Sequence, residues 1–294
     1  MNDRASPGTA PAIAAAQPSA APNAPPPDAF IPARPAIYRV ATWAAVGTIA
    51  RYTLLEAVRG RLLWLVLAAA LAGAGISGLL SAIALTETRE TQLALVAAAL
   101  RLASVALMAA FVVTGMAREA ADKGTEMLLA LPIPRTAWLA GKLAGFASAA
   151  LLPAVLFGAV IAFFAAPVQA ALWSLSLLLE LWLIVAFAVF CTITLTRPVP
   201  ALAMVAGFYL LSRSLGTLQL LGHAPTSDAT QRAISTAIDA IALLLPRLDQ
   251  FTQTAWLLYG SGSLPALALI GAQTAIYLVL LVAASAFDLH RRDF

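Results

Sequence analysis

Apolar side chains in this chain come in long, unbroken runs rather than at alternate positions. The runs cover 62–85, 93–116, 139–165, 172–195, 199–221 and 264–287. Each exceeds the about 20 residues that cross about 30 Å of hydrocarbon at a helical rise of about 1.5 Å per residue. The pattern therefore predicts six transmembrane helices, with Pro153 kinking the third because proline has no N–H to donate to the preceding turn. Ahead of the first run, Val40, Trp43, Gly47, Ala50, Leu54 and Val58 recur at steps of three or four. That spacing predicts a helix over 37–61, either an amphipathic entry helix in the plane of the membrane or a plain extension of the first span. The stretch 222–263 is too polar to cross. Within it Ile234, Ile238, Ile241 and Leu245 form an amphipathic stripe ending at Pro246, and Phe251, Trp256, Leu258 and Tyr259 suggest a second short interfacial helix.

Composition agrees with this division. Of 294 residues, 61% are hydrophobic and 11% charged, and the mean hydropathy is +0.87. A water-soluble domain carries about 25% charge, and a soluble fold of this length lacks the surface to cover so much apolar side chain. The fold class expected is an all-α integral membrane protein. Residues 1–36 stand apart, with nine of the 18 prolines and twelve alanines. They bury too little to offset ordering and are expected to form a disordered cytoplasmic tail before a permease-like domain over 37–294.

Charge supplies the orientation. With the N-terminus in the cytoplasm, six arginines before the first span, then Arg118, Lys123, Arg135, Lys142, Arg197, Arg291 and Arg292, all lie inside. Only Arg89, Arg232 and Arg247 lie outside. Both termini are thus expected on the cytoplasmic side of a cell (inner) membrane. The net charge of +4 is accounted for by these loops rather than by nucleic-acid binding. No catalytic or metal-binding motif stands out. His223 and His290 are far apart, Cys191 is the sole cysteine, and Gly141-Lys142 lacks the upstream glycine and the downstream Ser/Thr of a phosphate loop. No metal or other cofactor is expected on this chain.

The loop after the second span is the most informative segment. Gly124 suits a helix end, Thr125 a cap and Glu126 a first helical turn, after which Met127, Leu128 and Leu131 make an apolar patch stopped by Pro132. An apolar cytoplasmic helix flanked by charge calls for a partner surface or the bilayer. The sequence here, Glu119-x(4)-Gly124-Thr125-x(2)-Leu128-Leu129-x(2)-Pro132-x(2)-Arg135 and then Gly141-Lys142, preceded by Arg118, resembles the first cytoplasmic loop of type-2 ABC transporter permeases. The entry helix, six spans, the outer Leu245-Pro246-Arg247-Leu248-Asp249-Gln250-Phe251 segment and the Arg-Arg-Asp-Phe ending extend the resemblance over 37–294. Within the class it is most similar to permeases for multi-copper enzyme maturation and nitrous oxide reductase assembly. Pro134 departs from the pattern. The resemblance implies a membrane subunit without ATP-binding machinery of its own, a separate cytoplasmic ABC ATPase that holds ATP and Mg, a second permease copy, and docking of that ATPase on the 118–135 loop.

Three charges lie inside the runs. Arg101, Glu180 and Arg213 each fall nine residues from the outer end of their spans, hence about 12 Å deep at about 1.5 Å per residue. Such charges cost about 2.5–3.5 kcal/mol each on insertion scales. They are expected to pair in one cluster, as part of a pathway or as a structural pin between spans. The leading functional expectation is a transporter permease. The alternative is a non-transporting scaffold or assembly factor that docks partner proteins; an intramembrane enzyme would lack a paired acid and base.

Overall fold

The computed structural model describes residues 37–83, 88–121, 134–222 and 229–291. Almost all of these belong to one unit, Arg39–Phe294, and the other unit, Met1–Tyr38, contributes only its last two residues to the description. The expected tail over 1–36, loop residues Gly124, Thr125, Glu126, Leu128, Leu129 and Pro132, and the last three residues of the chain lie outside the described residues.

Every regular element among the described residues is helical. In chain order they are α1 (Ile37–Arg59), α2 (Arg61–Ile83), α3 (Thr88–Ala121), α4 (Arg135–Ala149), α5 (Leu151–Ala162), α6 (Pro167–Leu195), α7 (Pro198–Gly222), α8 (Ala229–Leu244), a 3-10 turn (Leu248–Gln250), α9 (Thr254–Tyr259) and α10 (Leu264–Arg291). Among the described residues, five segments are long and apolar enough to cross a membrane: Arg89–Ala121, Arg135–Ala162, Pro167–Leu195, Pro198–Leu220 and Leu264–Arg291. The first expected span corresponds to α2, which is apolar over the shorter described stretch Arg61–Ile76. The chain is thus a helical, multi-pass membrane protein, with five crossings visible by length and composition among the described residues.

Local chemistry sets the breaks. Pro153 has no N–H for the carbonyl of Ala149, and the third apolar run divides there into α4 and α5, with the Ala150 N–H still bonded to the Phe146 carbonyl at 3.0 Å. α6 opens on Pro167, where a helix loses no hydrogen bond, and ends at Thr196 in a left-handed conformation (φ 55°) before Pro198 opens α7.

The centre of the bundle is α6, which packs against α3, α5, α7 and α10. Of its apolar stretch 61% is buried within the protein, against 11% for α10, so α10 presents most of its apolar surface outward. Trp173, Leu177, Leu181 and Ile184 of α6 are fully buried. Ser174 lies against Gly158 and donates to the Ala154 carbonyl at 2.7 Å, tying α6 to α5. The Phe187 and Phe208 rings stack at 3.9 Å between α6 and α7.

Polar ties mark two ends of the bundle. At one, Arg135 donates to the Leu289 carbonyl at 3.1 Å and Thr194 to Asp288 at 3.0 Å. At the other, Arg89 donates to the Phe164 carbonyl at 3.4 Å and Gln169 to the Gly260 carbonyl at 3.1 Å. Successive long helices therefore run in opposite directions, as consecutive crossings joined by short connections do.

Candidate functional site

At the Arg135 end, the borders of the 118–135 loop are held together. Lys142 of α4 is 5% exposed, and its ammonium pairs with Glu119 of α3. The same ammonium lies 3.4 Å from the Thr53 hydroxyl of α1 and 5.8 Å from the centre of the Phe146 ring. Lys142, expected in or beside this loop at the start of the third apolar run, is a buried charge neutralised by Glu119. Arg118 makes a more exposed pair with Glu56 of α1 at 3.7 Å, where a single ion pair contributes little.

Helix α1 is seated on two glycines of α4. A Cβ on Gly141 would lie 2.8 Å from the Ile49 Cβ, and one on Gly145 would lie 2.6 Å from the Thr53 Cβ and 3.0 Å from the Ala50 carbonyl oxygen. Gly141 and Gly145 are one turn apart, as are Ile49 and Thr53. This is close helix packing through a Gly-x(3)-Gly face, which brings two backbones nearer than larger side chains permit. Gly141-Lys142 stands in the sequence both as an incomplete phosphate loop and as the end of the permease-like loop pattern; the four-residue spacing of Gly141 and Gly145 in an apolar run was the signal for the contact.

Toward the Arg89 end, the structure brings Arg101, Glu180 and Arg213 together around Thr252. Glu180 is fully buried, with Oε1 3.9 Å from Arg213 Nη1. The Thr252 hydroxyl donates to Glu180 Oε2 at 2.7 Å, and the Thr252 N–H donates to Ser176 Oγ at 2.9 Å. Arg101 Nη1 donates to the Thr252 carbonyl at 3.4 Å. Arg213 Nη1 donates to the carbonyls of Leu248 at 2.6 Å and Phe251 at 2.8 Å. The phenol of Tyr209, 5% exposed, stands beside Glu180 and Arg101. The arginines therefore do not meet Glu180 as a simple triad: much of their hydrogen bonding goes to backbone carbonyls of the segment Pro246–Gln253.

That segment corrects the sequence reading of an interfacial outer loop. Leu248 and Phe251 are fully buried, and Trp256 and Leu257 of α9 nearly so, while Tyr259 is 73% exposed. The chain turns in from the Arg89 end, reaches Glu180 at Thr252 and turns back. Thr252 has φ 43°, a left-handed conformation that is strained for a β-branched residue, by about 1–3 kcal/mol, and persists only where the surroundings dictate it. Four hydrogen-bonding groups, Ser176 and Glu180 of α6, Arg101 of α3 and Arg213 of α7, dictate it here. No periodicity announces such a turn, so Thr252, Ser176 and Tyr209 went unread.

A cleft of about 790 Å³ opens beside this segment, lined by Gly216, Leu220, Asp239, Arg247 and Asp249 among others. Among the described residues, no three His, Cys, Asp or Glu side chains gather to hold a metal ion. No protein-family model matches the chain, and no curated protein matches it.

Proposed function

We propose that this chain is the membrane subunit of an ATP-binding-cassette transporter. It crosses the inner membrane six times with both termini in the cytoplasm, and α1 serves as the entry helix beside the ATPase-docking loop. The observation that carries this reading is a convergence at the Arg135 end. Three sequence features of the resemblance, namely the entry helix, the Glu119 loop motif and Gly141-Lys142, are distant in sequence but meet through the Glu119–Lys142 pair and the α1–α4 glycine contact. In this reading α1, the end of α3 and the start of α4 form one rigid base for the loop. A cytoplasmic ATPase seated on that loop, holding ATP and Mg, then moves the base and the attached spans as bodies. The outward apolar face of α10 is offered to lipid or to a second permease copy. The carried substrate has no signature in the side chains.

The test is purification of the tagged chain from its own membranes, with an ABC ATPase sought by mass spectrometry. The parent chain retains the ATPase; Gly124→Pro and Leu128→Asp insert normally and lose it. Equal recovery with both variants, or no ATPase with the parent, refutes the docking role. An ATPase that binds but whose turnover ignores the permease favours the scaffold.

A further inference from the structure

Three observations converge on Pro246–Gln253. Its outer side, through Arg247 and Asp249, lines the open cleft of about 790 Å³. Its inner side, Leu248 and Phe251, is fully buried against the bundle. Between them, the Thr252 N–H is held by Ser176 and its hydroxyl by Glu180, both of α6, its carbonyl by Arg101 of α3, and its hydroxyl also accepts from Arg213 of α7 at 3.4 Å, in a conformation the residue adopts only under that constraint. From this geometry we infer that Pro246–Gln253 is a movable strap closing the bundle between α3, α6 and α7, and that Thr252 is its catch. Thr252 is the residue that α3, α6 and α7 all grip: moving any of these helices breaks a bond to it, a shift of α7 also frees the Leu248 and Phe251 carbonyls from Arg213, and the strained backbone then relaxes out of the left-handed region. Withdrawal would join the cleft to the polar surface of Glu180, Arg101 and Arg213. The strap follows from the packing of this chain alone and stands whether or not an ATPase docks at the opposite end.

The test uses single cysteines in the purified full-length chain with Cys191→Ala as background, reacted with a charged, water-soluble maleimide. Leu248→Cys reports the strap, Tyr259→Cys an exposed site and Phe157→Cys the core beneath α6. With Thr252 intact, Leu248→Cys reacts far more slowly than Tyr259→Cys. Thr252→Val, which keeps the shape but removes the hydroxyl, speeds labelling of Leu248→Cys by about tenfold or more, the opening expected when a hydrogen bond to a charged group is lost. Thr252→Ser keeps it slow, and Phe157→Cys stays slow throughout. Equal Leu248→Cys rates with Thr252 and Thr252→Val overturn the strap. So does a fast rate already present with Thr252, or a parallel rise at Phe157→Cys, which would make Thr252 a brace for the whole bundle.

Discussion

The Lys142–Glu119 pair yields a prediction with an unequal outcome for its two partners. Lys142 is 5% exposed, and the Glu119 side chain 28% exposed. Glu119→Gln leaves an ammonium almost wholly enclosed and without a counter-charge, with a neutral amide oxygen, the Thr53 hydroxyl at 3.4 Å and the Phe146 ring at 5.8 Å as its contacts. Removing one partner of a buried pair costs about 3–5 kcal/mol, and the water that reaches Glu119 places this case near the lower end. Lys142→Met leaves a carboxylate that can turn to that water, at a cost of about 1 kcal/mol, in the range of one lost hydrogen bond. The double variant, with no charge left to strand, should resemble Lys142→Met. The coupling expected is then about 2–3 kcal/mol, well outside the about 0.5 kcal/mol scatter of independent sites. Equilibrium unfolding in mixed micelles with increasing SDS, followed by tryptophan fluorescence, gives all four stabilities. Additive effects, or a greater loss for Lys142→Met than for Glu119→Gln, would refute the account of Lys142 as a buried charge that depends on Glu119.

Two further outcomes follow from packing. Gly145→Val places its Cβ 2.6 Å from Thr53 and 3.0 Å from the Ala50 carbonyl, so α1 is pushed off α4 at an overpacking cost of about 1–3 kcal/mol; trypsin should then cut faster at Arg51, and an unchanged rate would show that α1 is not seated on these glycines. Pro153→Ala restores the N–H that the Ala149 carbonyl lacks, joining α4 and α5 into one helix; amide exchange over 150–154 should slow, and exchange as fast as with Pro153 would mean that packing rather than proline makes the break.

The apolar runs by themselves determined that the chain is helical and membrane-crossing, and closely where most crossings lie, because a bilayer offers the backbone no hydrogen-bonding partner and a helix satisfies those groups locally. The break near Pro153 was equally legible, since it depends on one missing N–H. Equal depth also brought Arg101, Glu180 and Arg213 into one expectation, since insertion cost leaves buried charges little choice but to meet. What joins them, however, depended on tertiary structure. Thr252 is 72 residues from Glu180 and 151 from Arg101 in sequence, and no local rule predicts that the segment Pro246–Gln253 turns into the bundle to give its carbonyls to two arginines. The same holds for Lys142: its charge placed it with the loop cations, while the glycines beside it and the Glu119 carboxylate decided that it is buried. Local hydrogen bonding can be read from neighbours in the chain, but the neutralisation of a buried charge depends on which distant group the fold delivers to it.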